Sequence, residues 1–99
     1  MSSSRIDQQA PLARRIDVTD AMLVVELIDG RSLSVPISWF PRLDAATPSE
    51  RSRWVLVGKG EGIHWPEIDE DVSVESLIAG RPSGESAKSL ERWKATRSR

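Results

Sequence analysis

His64 is the only histidine of the 99-residue chain, which also lacks cysteine, so the choice of catalytic bases and nucleophiles is narrow. A serine nucleophile needs a base within hydrogen-bonding reach and a tight turn to present it, and no serine lies in such a turn pattern. His64 follows Ile63 and precedes Trp65 in a predicted strand, where a histidine ring more often pairs with backbone or stacks on an aromatic. We therefore predict no catalytic residues and a protein that is not an enzyme.

The acidic side chains of Glu67, Asp69, Glu70 and Asp71 lie in one short segment and could ligate a hard cation such as Ca²⁺ or Mg²⁺. Their spacing does not match an EF-hand loop, which needs alternating oxygen ligands with a glycine at the sixth position and a glutamate at the twelfth. We expect a solvated acidic loop whose charges favour the N-terminus of a helix after Ser73. The prediction is no metal site and no cofactor.

Three glycines alternate with Lys59 and Glu61 in the segment 58–62. Glycines allow backbone N–H groups to converge on an anion, so a phosphate cradle is one possible role. A P-loop, however, has a serine or threonine after its lysine and lies between a strand and a helix, whereas both flanks here are predicted strands. The segment is more typical of a hairpin turn or a bulge.

The segment Trp39-Phe40-Pro41-Arg42 carries the residue types that anchor protein interfaces. A short helix that begins with two adjacent aromatics can bury only part of its surface, and Arg42 could pair with a carboxylate of a partner. Trp39, Phe40 and Arg42 are therefore the predicted partner-binding residues. The alternative is that the four tryptophans of this small chain seal its core. Secondary candidates for the site are His64, Trp65 and Asp69.

The residues that would position these side chains begin after a predicted flexible leader, residues 1–13. Residues 14–18 alternate as in a short strand, and the nearly continuous apolar run 21–28 predicts a strand covered on both faces. Asp29-Gly30 predicts a two-residue hairpin, which would place Val24 opposite Val35 and Met22 opposite Ile37. Pro36 predicts an edge strand, because proline cannot donate to the ladder.

Short helices and strands follow in alternation. Ser38 could cap a helical turn, and Thr47-Pro48-Ser49-Glu50 has the pattern of a capping box. Residues 54–57 and 63–65 predict two further strands, and residues 73–79 a helix that ends at Gly80. The predicted class is α+β, with a small antiparallel sheet and short helices in a single compact domain at residues 14–80.

Charge is distributed unevenly although the net charge is only −1. Residues 61–80 include six acids and no Lys or Arg, whereas the tail 81–99 has six bases and two acids. We expect a solvated basic tail, with a frayed helix possible at 85–96, and nucleic-acid binding as a possible but not favoured role. The sequence has no apolar run of about 18 residues and no secretory signal, so no membrane contact and a cytoplasmic location are expected.

Four motifs resemble a bacterial family known as domain of unknown function 2442. They are the apolar strand that runs into Asp29-Gly30, SVPISWFPRL at 34–43 with TPSERSRW at 47–54, GIHWPEIDED at 62–71, and SVESLIAG at 73–80. The resemblance implies a compact α+β fold and carries no assigned activity.

In the family that these motifs resemble, some members are joined to a helix-turn-helix domain, and others are encoded beside a second small protein in a toxin–antitoxin pattern. Residues 81–99 are too few for a helix-turn-helix domain. We therefore expect a non-enzymatic protein–protein interaction module, with an antitoxin-like partner relationship to a neighbouring small protein as the more specific possibility. The alternative is a regulatory domain that binds nucleic acid or a small ligand.

Overall fold

A computed structural model describes residues 11–97, which form two three-stranded antiparallel sheets with short helices between and after them. The α+β class predicted from the sequence is confirmed, with two small sheets in place of one. No helix among residues 11–97 is long and apolar enough to cross a bilayer. The strands are β1 (Ala13–Val18), β2 (Met22–Leu27), β3 (Ser32–Pro36), β4 (Val55–Val57), β5 (Gly62–Trp65) and β6 (Glu70–Ser73).

The first sheet has the order β1-β2-β3, so β3 with Pro36 is an edge strand, as predicted. Along β2 the side chains of Leu23, Val25 and Leu27 are buried, whereas those on the opposite face are half-buried. The prediction that this strand is covered on both faces is therefore wrong. One face packs on the core, and the other is only partly shielded, in the usual manner of a small antiparallel sheet.

The β2–β3 hairpin lies where it was predicted, but its loop contains three residues and not two. The N–H of Leu27 donates to the carbonyl of Arg31 at 2.8 Å, and Gly30 between them has a φ of +96°. This is the geometry of a turn closed by a glycine in the left-handed region. The extra residue shifts the register by one, so that Leu23 and not Val24 lies opposite Val35, and both members of that pair are buried.

Three short helical segments connect the two sheets. They are a 3₁₀ helix (Ile37–Trp39), α1 (Pro41–Asp44) and α2 (Pro48–Arg51). Ser38 lies within the 3₁₀ helix and caps nothing, because α1 begins after Phe40 without a side-chain cap. The predicted capping box is present at α2: Thr47 accepts from the N–H of Glu50, and Glu50 accepts from the N–H of Thr47.

The second sheet has the order β4-β5-β6, and the glycine-rich segment 58–61 is the turn between β4 and β5. In this turn Gly60 has a φ of +107°, and a Cβ there would lie 2.4 Å from the carbonyl oxygen of Ala13. The turn therefore contacts the beginning of β1 and joins the two sheets. β6 was not predicted, because its residues were interpreted as an acidic loop.

Two helices follow β6. The first, α3 (Val74–Ile78), is capped by Ser73, whose hydroxyl accepts from the N–H of Ser76, and it ends before Gly80, which has a φ of +74°. The second, α4 (Ala87–Arg97), lies in the segment for which a frayed helix was considered. The boundary proposed for the leader also differs, because Ala13 is buried and begins β1. Residues 1–10 of the predicted leader lie outside the described residues.

One apolar core lies between the sheets and the short helices. Its members come from every strand except β4, and Trp65, Leu23, Leu27, Leu43, Ile63, Ile68, Val25 and Val74 are fully buried. Trp39, Trp54 and Trp93 are half-buried and pack against this core. The tryptophans therefore cover the core, as the alternative to a binding role for Trp39 predicted.

Candidate functional site

The side chain of Arg42, on α1, makes hydrogen bonds in three directions. Its Nε lies 2.9 Å from both carboxylate oxygens of Glu85, and its Nη2 lies 2.6 Å from Oε2 of that residue. Its Nη1 donates to the carbonyls of Ile68 and Asp69, each at 3.1 Å. The Arg42 and Glu85 side chains are only 16% and 10% exposed, so this pair is shielded on both sides from solvent. A planar guanidinium recognises a carboxylate with more directional specificity than a lysine ammonium could.

Glu85 lies two residues before Ala87, which begins α4. The hydroxyl of Ser86 accepts from the N–H of Ser89, which is capping geometry, and the hydroxyl of Ser89 donates to Oε2 of Glu85 at 2.7 Å. Hydrogen bonds from Arg42, aided by Ser89, hold the pKa of Glu85 below its ordinary value. Glu85 is thus a charged group that is bound from both the domain and the helix.

Two guanidinium groups lie over the indole ring of Trp93. The Cζ atom of Arg42 is 5.3 Å from the centre of its ring, and that of Arg97 is 4.6 Å away. Arg97 continues to α2, where its nitrogens lie 2.7 and 2.9 Å from the two carboxylate oxygens of Glu50. Hydrogen bonds from Arg97 and from the backbone of Thr47 lower the pKa of Glu50 to about 2. We call Arg42, Glu85, Trp93, Arg97 and Glu50 the Arg42 cluster.

Glu70 borders this cluster. It lies opposite Trp65 in the β5–β6 pairing, and therefore on the face of the second sheet that turns towards the core. Its Oε2 is buried without a hydrogen-bond partner among the described residues. Burial raises the pKa of Glu70, and the nearby Glu85 carboxylate acts in the same direction while Arg42 opposes it.

The structure separates the predicted partner-binding residues. Phe40 is only 5% exposed and belongs to the core, so the expectation of an exposed aromatic at this position is wrong. Trp39 is half-buried, and its carbonyl accepts from the N–H of Ser83 at 2.9 Å. Arg42 does bind a carboxylate, but that carboxylate comes from Glu85 of the same chain. Phe40 lies between the 3₁₀ helix and α1, and its side chain joins the core while that of Arg42 extends to Glu85.

Of the secondary candidates, only Asp69 joins Arg42, and it does so through its backbone carbonyl. Asp69 has a φ of +53°, which turns the chain between Pro66 and β6. Trp65 is fully buried, and its Nε1 donates to the carbonyl of Arg51 at 3.0 Å. His64 faces outward, where its Nδ1 lies 2.7 Å from Oδ1 of Asp71. The three residues do not form one site.

The carboxylates of the acidic segment 67–71 point in different directions. Glu67 pairs with Arg53 at 2.6 Å, Asp71 pairs with His64, and Glu70 turns inward. A strand directs successive side chains to opposite faces, so β6 disperses the acids that the sequence places together. Within residues 11–97, no three His, Asp or Glu side chains are grouped so that they could hold a metal ion.

Four members of the Arg42 cluster were not predicted as site residues: Glu85, Trp93, Arg97 and Glu50. The tail was interpreted as solvated, whereas its Glu85, Trp93 and Arg97 contact the domain. A signal was present, because Glu85, Ser89, Trp93 and Arg97 recur every four residues and so lie on one side of a helix. Such spacing indicates a face that packs, although it cannot name the residues on which it packs.

The contacts within this cluster are of the kinds that proteins use for recognition. Arg42 binds a carboxylate and an aromatic ring, and Glu50 binds a guanidinium, with every charged group engaged by an opposite charge. The edge strand β4 has a different character, because it exposes Val55 and Val57 at 47% and 43% of their surfaces.

Comparisons with known proteins agree with the fold and name no activity. A family model described as a protein of unknown function (DUF2442) matches residues 13–83. A crystal structure of a protein of unknown function from Rhodospirillum rubrum is similar, with a TM-score of 0.67 and 26% identity over 78% of this chain and 95% of that one.

A solution structure of an uncharacterised protein from Chromobacterium violaceum has a TM-score of 0.66 and 22% identity, over 92% of this chain and 84% of that one. No curated protein matches. With the two sheets, the capped α3 and the matched residues 13–83 in agreement, the chain belongs to the DUF2442 family.

Proposed function

We propose that this chain is a non-enzymatic protein–protein interaction module whose binding face is centred on Arg42. The observation that carries the proposal is the pairing of Arg42 with Glu85. Glu85 lies outside the residues 13–83 that the family model matches, so a residue within the match binds a carboxylate from a segment beyond it. A domain that binds one helical segment in this way has the surface that a protein partner would need.

The residue types at this face support recognition of protein. Arginine and tryptophan are the residues most often found to dominate binding energy at interfaces, particularly where their surroundings exclude water. Arg42 is shielded, makes five hydrogen bonds and also stacks on Trp93. We further propose that the partner is another small protein, encoded by a neighbouring gene in an antitoxin-like arrangement.

The alternative functions have less support. Nucleic-acid binding would use the bases of the tail, but Arg97 is paired with Glu50, which reduces the positive charge offered to phosphates. Small-ligand binding would need a cavity. The outer face of the first sheet has a depression of about 200 Å³ lined by Arg15, Asp17 and Glu26, which is smaller than the roughly 300–1,000 Å³ of most ligand pockets.

Co-purification with the products of adjacent genes tests the proposal. Tagged wild-type protein, Arg42→Ala and the matched control Arg31→Ala would each be expressed with those products, and bound protein identified by mass spectrometry. Arg31 forms only an exposed ion pair with Asp29, so its loss should leave capture unchanged. We expect Arg42→Ala to reduce capture at least tenfold. Equal capture by all three proteins, or no capture by the wild type, would contradict the proposal.

A further inference from the structure

The surface formed by Trp39, Arg42 and Glu50, which we call the helix-binding face, contacts the C-terminal segment at both of its ends. The Trp39 carbonyl accepts from the N–H of Ser83 before α4 begins, Arg42 binds Glu85, and Glu50 binds Arg97 in the last turn. Between Ala87 and Arg97 the helix rises about 15 Å. The face therefore contacts a whole three-turn helix and not a single side chain.

Charge gives this face a direction. Arg42 presents a positive group to the beginning of the helix, and Glu50 presents a negative group to its end. A helix favours acids near its N-terminus and bases near its C-terminus, so only one orientation satisfies both the face and the helix dipole. A helix bound in the reverse direction would place like charges together at both ends.

The apolar contribution to the docking of α4 is small. None of its residues is buried, and Trp93 is the member of α4 that packs against the core as a half-buried side chain. An isolated helix of this length is marginal in water, so α4 would lose its structure when it leaves the face. A segment held by charged contacts and one aromatic ring can be displaced without opening the core.

We propose that the helix-binding face is a recognition groove for a helix, that α4 occupies it in cis, and that a partner's helix of the same pattern displaces α4. The pattern is a glutamate, a tryptophan eight residues later and an arginine four residues after that, as in Glu85, Trp93 and Arg97. The identity of the partner rests on the function proposed above, whereas the groove and its pattern rest on the contacts of α4.

A peptide added in trans tests this inference without a natural partner. The receiver is the full-length chain with Glu85→Ala and Trp93→Ala together, which removes the ion pair with Arg42 and the aromatic contact of α4 and leaves Trp39, Arg42 and Glu50 unchanged. The probe is a fluorescein-labelled peptide of residues 81–97, followed by fluorescence anisotropy. Retention of the wild-type fold in the receiver is verified by its circular dichroism and by the chemical shifts of the core methyl groups.

Three comparisons give the expected result. The peptide should bind the receiver at least tenfold more tightly than it binds the wild-type chain, whose groove is occupied. Peptides with Glu85→Ala or Trp93→Ala should bind the receiver at least tenfold more weakly, and a control peptide with Arg92→Ala, an exposed residue of α4, should bind within twofold. A full-length Arg92→Ala control chain should exclude the peptide as the wild type does.

Other outcomes would overturn the inference. They are no binding to a folded receiver, equal binding by all peptides, or equal affinity for the receiver and the wild-type chain. Light scattering could instead show that the wild-type chain forms dimers by exchange of α4. The occupant of the groove would then be a second copy of this chain, and the proposal of a different displacing partner would be wrong. If the peptide binds as expected but no adjacent gene product is captured, the groove stands and the proposed function fails. If a partner is captured, but the peptide neither binds the receiver nor competes with that partner, the proposed function stands and the groove is wrong.

Discussion

The two sheets and the C-terminal helix are held by different forces. Leu23, Ile63 and Trp65 of the sheets have no exposed surface, whereas no residue of α4 is buried. Burial of apolar surface contributes stability that depends little on pH or salt, while ion pairs and cation–π contacts depend on ionisation and on screening. We therefore expect the two sheets and α4 to respond separately to the same change in conditions.

The largest effect should follow from removal of a core tryptophan. Trp65→Ala would leave a cavity among fully buried side chains and remove the Nε1 hydrogen bond to the Arg51 carbonyl. We expect a loss of about 3–5 kcal/mol in the free energy of unfolding, measured by urea denaturation. The matched control is Trp93→Ala, which should cost about 1–2 kcal/mol at most. Similar losses for the two would show that α4 is as much part of the core as β5.

A smaller effect is expected where the two sheets meet. Gly60→Ala combines a positive φ with a Cβ that would lie 2.4 Å from the Ala13 carbonyl oxygen, so β1 and the β4–β5 turn would have to separate. We expect destabilisation of about 2–3 kcal/mol by thermal or chemical denaturation. A loss below about 1 kcal/mol would mean that the contact between the sheets relaxes at little cost.

Gly30→Ala is the natural counterpart of that substitution. Gly30 also has a positive φ, but a Cβ there would meet no atom within 4 Å. Only the conformational cost remains, so we expect about 1 kcal/mol in the same denaturation experiment. A loss of stability as large as that caused by Gly60→Ala would indicate that an alanine at this position strains the β2–β3 hairpin more than its φ alone explains.

A decrease in pH should have the smallest effect on global stability. It should, however, have the largest effect on the docking of α4. The folded-state pKa values of Glu85 and Glu50 lie below their ordinary value of 4.5, that of Glu50 at about 2. The stability that these two carboxylates contribute is therefore present above pH 4.5 and is lost as the pH falls below it, for Glu50 towards about 2. Glu70, whose pKa is raised, takes up its proton before they do and relieves its repulsion of Glu85.

Amide hydrogen exchange measured by nuclear magnetic resonance can follow this release residue by residue. We expect the amides of α4 to lose protection between about pH 4.5 and 2, while those of β2 and β5 keep theirs. Glu85→Gln and Glu50→Gln should flatten the pH dependence of α4. Simultaneous loss of protection in α4 and in the strands would show one cooperative unit, and the contrast between the two regions would be wrong.

Local patterns in the sequence determined much of this protein. The capping box at Thr47, the start of a helix at Ser73, the glycine after α3 and the edge position of Pro36 were all predicted, because each depends on a few neighbouring residues. The motifs also identified the family, which the match over residues 13–83 confirms.

Only the tertiary structure decided where Phe40 points, how the acids of 67–71 are distributed, and what Arg42 binds. Phe40 is buried because the core lies beneath α1. Residues 70–73 form β6 because they pair with β5 by backbone hydrogen bonds. Glu85 lies 43 residues from its partner, and no local propensity links two side chains across that distance. Neighbouring residues determine caps, turns and periodicity, whereas a long-range ion pair depends on how every element between its members packs.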